Sequence, residues 1–76
     1  MAKGVHEDRY RSVIESLAEA RRKAGLTQAE LAGRLGRRQQ FVSKYEIGER
    51  RLDVVEFADI ARILGLDAAM LVRDIP

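Results

Sequence analysis

Apolar residues recur at helical spacing along most of the chain. Tyr10, Val13, Ile14, Leu17 and Ala24 fall on one stripe, which predicts a first helix from about Glu7 to Ala24. Glu7 and Asp8 then stand at the positive end of its dipole, and Arg21, Arg22 and Lys23 at the negative end. Gly25 follows as a left-handed C-cap, with Leu26 packing back over the last turn. Residues 1–6 read as a mobile tail. Thr27-Gln28-Ala29-Glu30 has the form of a capping box and opens a second helix. Leu31, Ala32 and Leu35 face inward there, and Gly36 ends it. A third helix runs from near Arg38 to before Gly48. It turns Val42 and Tyr45 inward and Gln39, Gln40, Ser43 and Lys44 outward. After the turn Gly48-Glu49-Arg50-Arg51-Leu52, Asp53 and Glu56 form a second capping box. Phe57, Ile60, Ala61 and Leu64 give the fourth helix its apolar face, and Gly65 stops it. Asp67 caps a short fifth helix, Ala68 to Arg73, which turns Leu71 inward. No segment alternates as a strand does. The pattern predicts an all-α domain of five helices with short connections, spanning 1–76 as one unit.

Composition narrows the function more than the fold. With 76 residues the chain is one small domain near the lower size limit for independent folding. It has no cysteine, so no disulfide or thiolate metal site supports it. Apolar residues at 46% suffice for one core, and the chain does not read as disordered. No apolar run approaches the roughly 18 residues of a membrane span. The first residues lack the apolar stretch of a signal peptide. The expectation is a soluble, cytoplasmic protein with no membrane association. Net charge is only +2 but is unevenly spread. Residues 1–51 hold 12 basic and 7 acidic groups; residues 52–76 hold 2 and 5. The basic stretches are Arg21-Arg22-Lys23, Arg34 to Arg38, and Arg50-Arg51. One basic end fits a polyanion partner, and a solvated helical surface is the plainer account of the same charges.

The connection around Gly36 decides between them. A link of two or three residues between two short helices favours a steep crossing, the helix-turn-helix. Such a pair rests one helix across a phosphate backbone and lays the next in the major groove. The outward face of the third helix suits that role. Gln39 and Gln40 each carry a donor and an acceptor able to meet adenine N6 and N7 together. Lys44 reaches guanine or a phosphate, and Ser43 is short enough for close approach. Phe41 reads two ways, as a contact to a thymine methyl or as the edge of the core.

Residues 26–48, from Leu26-Thr27-Gln28 through Gly36 to Val42-Ser43, Glu46 and Gly48, resemble the Cro and lambda-repressor type (XRE-like) helix-turn-helix. The resemblance runs over roughly residues 10–72 and implies a lambda-repressor-like fold and double-stranded DNA as partner. It implies that Gln28 binds a backbone phosphate, as helix N-termini favour anions. It implies base or phosphate reading by Gln39, Gln40, Ser43 and Lys44, and a structural ion pair between Arg21 and Glu46. Three positions depart from the family pattern. Arg38 stands where Ser or Thr usually caps the recognition helix. Ile47 replaces a common Asn, and Leu52 a favoured Pro. Arg37, Arg38, Arg50 and Arg51 are the remaining candidates for phosphate contact.

One helix-turn-helix reads few base pairs, so specific binding calls for two copies. Met70, Val72 and Ile75, left over from the core, are the candidate homodimer interface. The expected function is a transcriptional regulator, with repression following from steric occupation. A protein-interaction module of antitoxin-like type, with a protein partner, is the alternative. His6 stands in the tail without a facing ligand, and no nucleophile, acid pair or phosphate loop supports catalysis. So small a bundle also leaves little room for a pocket of about 300 Å³. No enzyme activity, metal or cofactor is expected.

Overall fold

The computed structural model describes residues 2–76, with side chains from Asp8 onward. Five helices follow in chain order: α1 (Ala2–Lys23), α2 (Gln28–Leu35), α3 (Gln39–Glu46), α4 (Val54–Ile63) and α5 (Ala68–Arg73). Among the described residues there is no strand. The fold is all-α, with α2 and α3 as the helix-turn-helix.

The expected start of α1 near Glu7 is too late, since the helix begins at Ala2. No proline stands in residues 2–7, so the backbone can go on bonding through them. Asp8 therefore stands in from the helix terminus instead of facing the dipole in the first turn. The side chains of the expected tail, His6 included, lie outside the described residues. Ala24, expected inward, is exposed, because the chain turns away at Gly25. There the Leu26 amide donates to the Arg21 carbonyl at 3.2 Å, closing a Schellman turn.

Both capping boxes form. Thr27 Oγ1 accepts from the Glu30 amide at 3.0 Å, and Glu30 Oε1 accepts from the Thr27 amide at 2.8 Å. Those bonds hold the Glu30 carboxyl below its usual pKa, the backbone amide contributing most. Asp53 Oδ1 accepts from the Glu56 amide at 2.7 Å, and Glu56 Oε1 from the Asp53 amide at 3.0 Å. The turn of the helix-turn-helix depends on Gly36, at φ 69°. A side chain there would be strained by its own backbone, since that region disfavours a Cβ. The Arg37 amide then reaches back to the Ala32 carbonyl at 2.8 Å.

The core lies where α1, α2, α3 and α4 converge. Ile14, Leu17, Leu31, Ala32, Phe41, Val42, Tyr45 and Ile60 form one buried cluster. Each large aliphatic member contributes roughly 1.5–3 kcal/mol through burial. α5 adds no fully buried residue and docks through Leu71, packed against the core from α5's inner side. Among the described residues no helix is long and apolar enough to cross a membrane.

Candidate nucleic-acid interface

Val42 and Tyr45 fix the orientation of α3. Both are fully buried, so the opposite side of this eight-residue helix must face solvent. Gln39, Gln40 and Lys44 are exposed there, and Ser43 is half-buried, its Oγ donating to the Gln40 carbonyl at 3.3 Å. Arg38 takes the N-cap position in extended conformation but makes no capping hydrogen bond. The Phe41 amide, which a capping side chain would take, donates instead to the Arg38 carbonyl at 3.0 Å. Phe41 is only 8% exposed and meets Tyr45 edge-on, with ring centroids 5.5 Å apart. Of its two readings, the core edge holds.

Two carboxylates organise the cations around α3. Glu46 accepts from Arg21 Nε at 2.7 Å and Arg21 Nη2 at 3.1 Å. Gln28 Nε2 donates to the same carboxylate at 2.9 Å. Arg21, 9% exposed, also donates from Nη1 to the Leu26 carbonyl at 2.7 Å. The hydrogen bond to Glu46 raises the Arg21 pKa further above its already high ordinary value. Gln28 thus stands half-buried at the start of α2, tied to the C-terminal end of α3.

The second carboxylate, Glu56, is 8% exposed although it carries a charge. Its Oε2 accepts from Arg37 Nη2 at 3.0 Å and Arg50 Nη2 at 2.9 Å. Its Oε1 accepts from Arg50 Nη1 at 3.0 Å, beside the Asp53 amide. The Arg50 bonds first, then the Asp53 amide, pull its carboxyl down to about 2; burial opposes them and Arg37 adds to them. The same bond to Glu56 raises the Arg50 pKa. Both guanidiniums lie over the Phe41 ring, with Cζ at 4.3 Å for Arg37 and 4.8 Å for Arg50 from its centroid. Sequence reasoning missed this role for Glu56, whose capping-box position accounts for it locally. The only available signal was an acid six residues after Arg50, in the acidic last third of the chain.

Arg51 is exposed, its Cζ 4.4 Å from the Tyr10 ring centroid. Tyr10 Oη accepts the Leu52 amide at 3.0 Å. That bond is a physical reason for Leu52: a proline there would have no N–H to donate.

A family model described as a helix-turn-helix domain matches residues 15–73. The chain belongs to the XRE-like helix-turn-helix family. It is similar to the solved structure of an XRE-family like protein from Pseudomonas syringae pv. tomato str. DC3000, at 51% identity and a TM-score of 0.91. That match covers 97% of this chain and 90% of the other. It is also similar to an uncharacterized HTH-type transcriptional regulator, y4dJ, of Sinorhizobium fredii (strain NBRC 101917 / NGR234). The two are 37% identical over 65 residues, 86% of this chain and 84% of the relative. An XRE-like protein of this kind is placed among helix-turn-helix transcription regulators.

Away from α3, this XRE-like domain carries an apolar surface. Met70, Val72 and Ile75 are exposed, as are Val54 and Val55, which the pattern along the chain did not single out. An open groove of about 390 Å³ lies between α1, the start of α4 and the end of α5. Val13, Leu52, Val54, Phe57, Val72 and Ile75 line it; Met70 does not. The expectation of little room for a space of that size is corrected by this open groove. The light docking of α5 through Leu71 leaves the groove open. Among the described residues no group of His, Cys, Asp and Glu could hold a metal ion.

Proposed function

We propose that the chain is a sequence-specific, double-stranded DNA-binding repressor that acts in the cytoplasm as a homodimer. The observation that carries the reading is the two-sidedness of α3. Its inner side is locked in the core by Val42 and Tyr45, and its outer side presents Gln39, Gln40 and Lys44 to solvent. In this reading α3 enters the major groove, with Gln39, Gln40, Ser43 and Lys44 at base edges. Gln28, Arg37, Arg38, Arg50 and Arg51 meet phosphates on either side. Repression follows from occupying the site.

Eight residues of helix are about 12 Å long, enough for only three or four base pairs. Sequence specificity therefore favours two copies, with their α3 helices about 34 Å apart. The exposed Met70, Val72 and Ile75, on the acidic side away from α3, are the proposed contact between them.

The test is selection from a random duplex pool at near-physiological salt, with Gln40→Ala and Lys44→Ala in parallel. The expected result is an enriched palindrome with half-sites about one turn apart. Gln40→Ala should lose about 1–3 kcal/mol and relax preference at one base pair. Unchanged preference in that variant would count against the role of Gln40. The apolar groove favours a second reading, an antitoxin-like module whose main partner is a protein. A DNA-independent, salt-insensitive complex, with no duplex enriched, would favour it.

A further inference from the structure

Glu56 is an anomaly for a surface that is to meet a polyanion. It is an acid outside the helix-turn-helix, yet it is bonded to two of the arginines proposed to hold phosphate. Arg37 comes from the turn before α3, and Arg50 from the turn after it. One carboxylate on α4 thus ties both flanks of α3 to the rest of the fold. Phe41, from α3 itself, supplies the ring over which both guanidiniums lie.

Neither arginine is used up by these bonds. Their side chains remain 42% and 41% exposed. A guanidinium has five N–H groups, of which Arg37 gives one to Glu56, while Arg50 gives two to Glu56 and one to the Arg51 carbonyl at 3.4 Å. A free arginine must give up rotamer freedom when it takes a phosphate. Here the carboxylate and the ring have already fixed the planes of both groups, in the fold without DNA. The two guanidiniums share the Glu56 carboxylate, with Asp53 a second acid acting on Arg50.

We propose that Glu56 is a positioning residue for DNA binding. By holding Arg37 and Arg50 over Phe41, it presents their outward N–H groups as one preorganised seat for backbone phosphates beside α3. This rests on the DNA-binding reading above and deepens it. It also runs against simple Coulomb arithmetic. Deleting a negative charge near DNA strengthens binding if charge alone matters, whereas loss of the Glu56 anchor weakens it.

The experiment compares the full-length wild type with Glu56→Gln, with Arg37→Gln/Arg50→Gln, and with the triple variant. Each is titrated by fluorescence anisotropy on the wild type's best duplex across a salt series, with folding checked by circular dichroism. Glu56→Gln should bind about tenfold more weakly. Its slope of log K against log salt should become shallower by about 0.9 for each phosphate that the variant no longer neutralises. In the Arg37→Gln/Arg50→Gln background, Glu56→Gln should change nothing further. A purely structural Glu56 would lower the melting temperature and leave the slope of the folded protein unchanged. Phe41→Leu keeps an apolar side chain but removes the ring, and should make the slope shallower in the same way; it serves if Glu56→Gln does not fold. Equal or tighter binding by Glu56→Gln with an unchanged slope overturns the proposal. So does a weakening that persists without the two arginines, or an unchanged slope in Phe41→Leu. Failure of the wild type to bind any duplex overturns the DNA-binding reading, and this one with it.

Discussion

At the scale of single residues, Tyr45 shows how far an inward position can be read. Its spacing from Val42 places it in the core, and it is fully buried there. What spacing does not show is the fate of the hydroxyl, which has no hydrogen-bond partner among the described residues. Burial pushes the phenol's pKa up, so it stays protonated. A buried hydroxyl left unpaired costs about 1–3 kcal/mol. Tyr45→Phe keeps the edge-on contact with Phe41 and removes that cost. Thermal melting should show an equal or higher melting temperature; a clear fall would mean that the hydroxyl is satisfied. Arg21 teaches the complementary lesson. Arg21, Arg22 and Lys23 are one basic run in the sequence, but only Arg21 is inside, bonded to Glu46. The family resemblance singled it out; charge alone did not.

At the scale of elements, the two capping boxes were legible because each is a local arrangement of residues three apart. The α3 helix is different. At eight residues it is shorter than the roughly 12–15 that an isolated helix needs in water. It also begins at Arg38 without a side-chain cap. Tertiary packing through Phe41, Val42 and Tyr45 therefore holds it. Arg38→Ser would supply the missing cap and should stabilise the fold by about 1 kcal/mol. If Arg38 meets phosphate as proposed, the same change should weaken DNA binding and make its salt slope shallower by about 0.9. Melting and titration on one preparation check both halves. A gain in stability with unchanged binding would remove Arg38 from the contact surface.

At the scale of the whole molecule, acid should loosen the domain through Glu56. Its carboxyl is held at about 2 in the fold, against about 4.3 in an unfolded chain. A lowered folded pKa stabilises above the unfolded value, and the stabilisation is lost as pH falls towards the folded one. The melting temperature should therefore drop progressively from about pH 4.5 towards pH 2. Glu30, also lowered, acts in the same direction. At constant ionic strength Glu56→Gln should start lower at neutral pH and show a flatter acid limb. An acid limb as steep as that of the wild type would show that other carboxylates carry the effect. The links that Glu56 makes, from the α2–α3 turn and the α3–α4 turn to α4, span up to 19 residues of sequence.

Five helices, their glycine stops and capping residues, and the outward side of α3 could all be read along the chain. Those features are set by neighbours three or four apart, and the period of a helix makes them readable. Even there, the start of α1 at Ala2 lies five residues before the Glu7 that the apolar stripe predicts, because the stripe begins only at Tyr10. Folding in three dimensions was needed to bury Glu56 beneath two arginines, to close the core with Phe41, and to bring Tyr10 to the amide of Leu52. It also left a groove open beside α5. These depend on side chains brought together by the crossing of helices, over separations that no local period encodes.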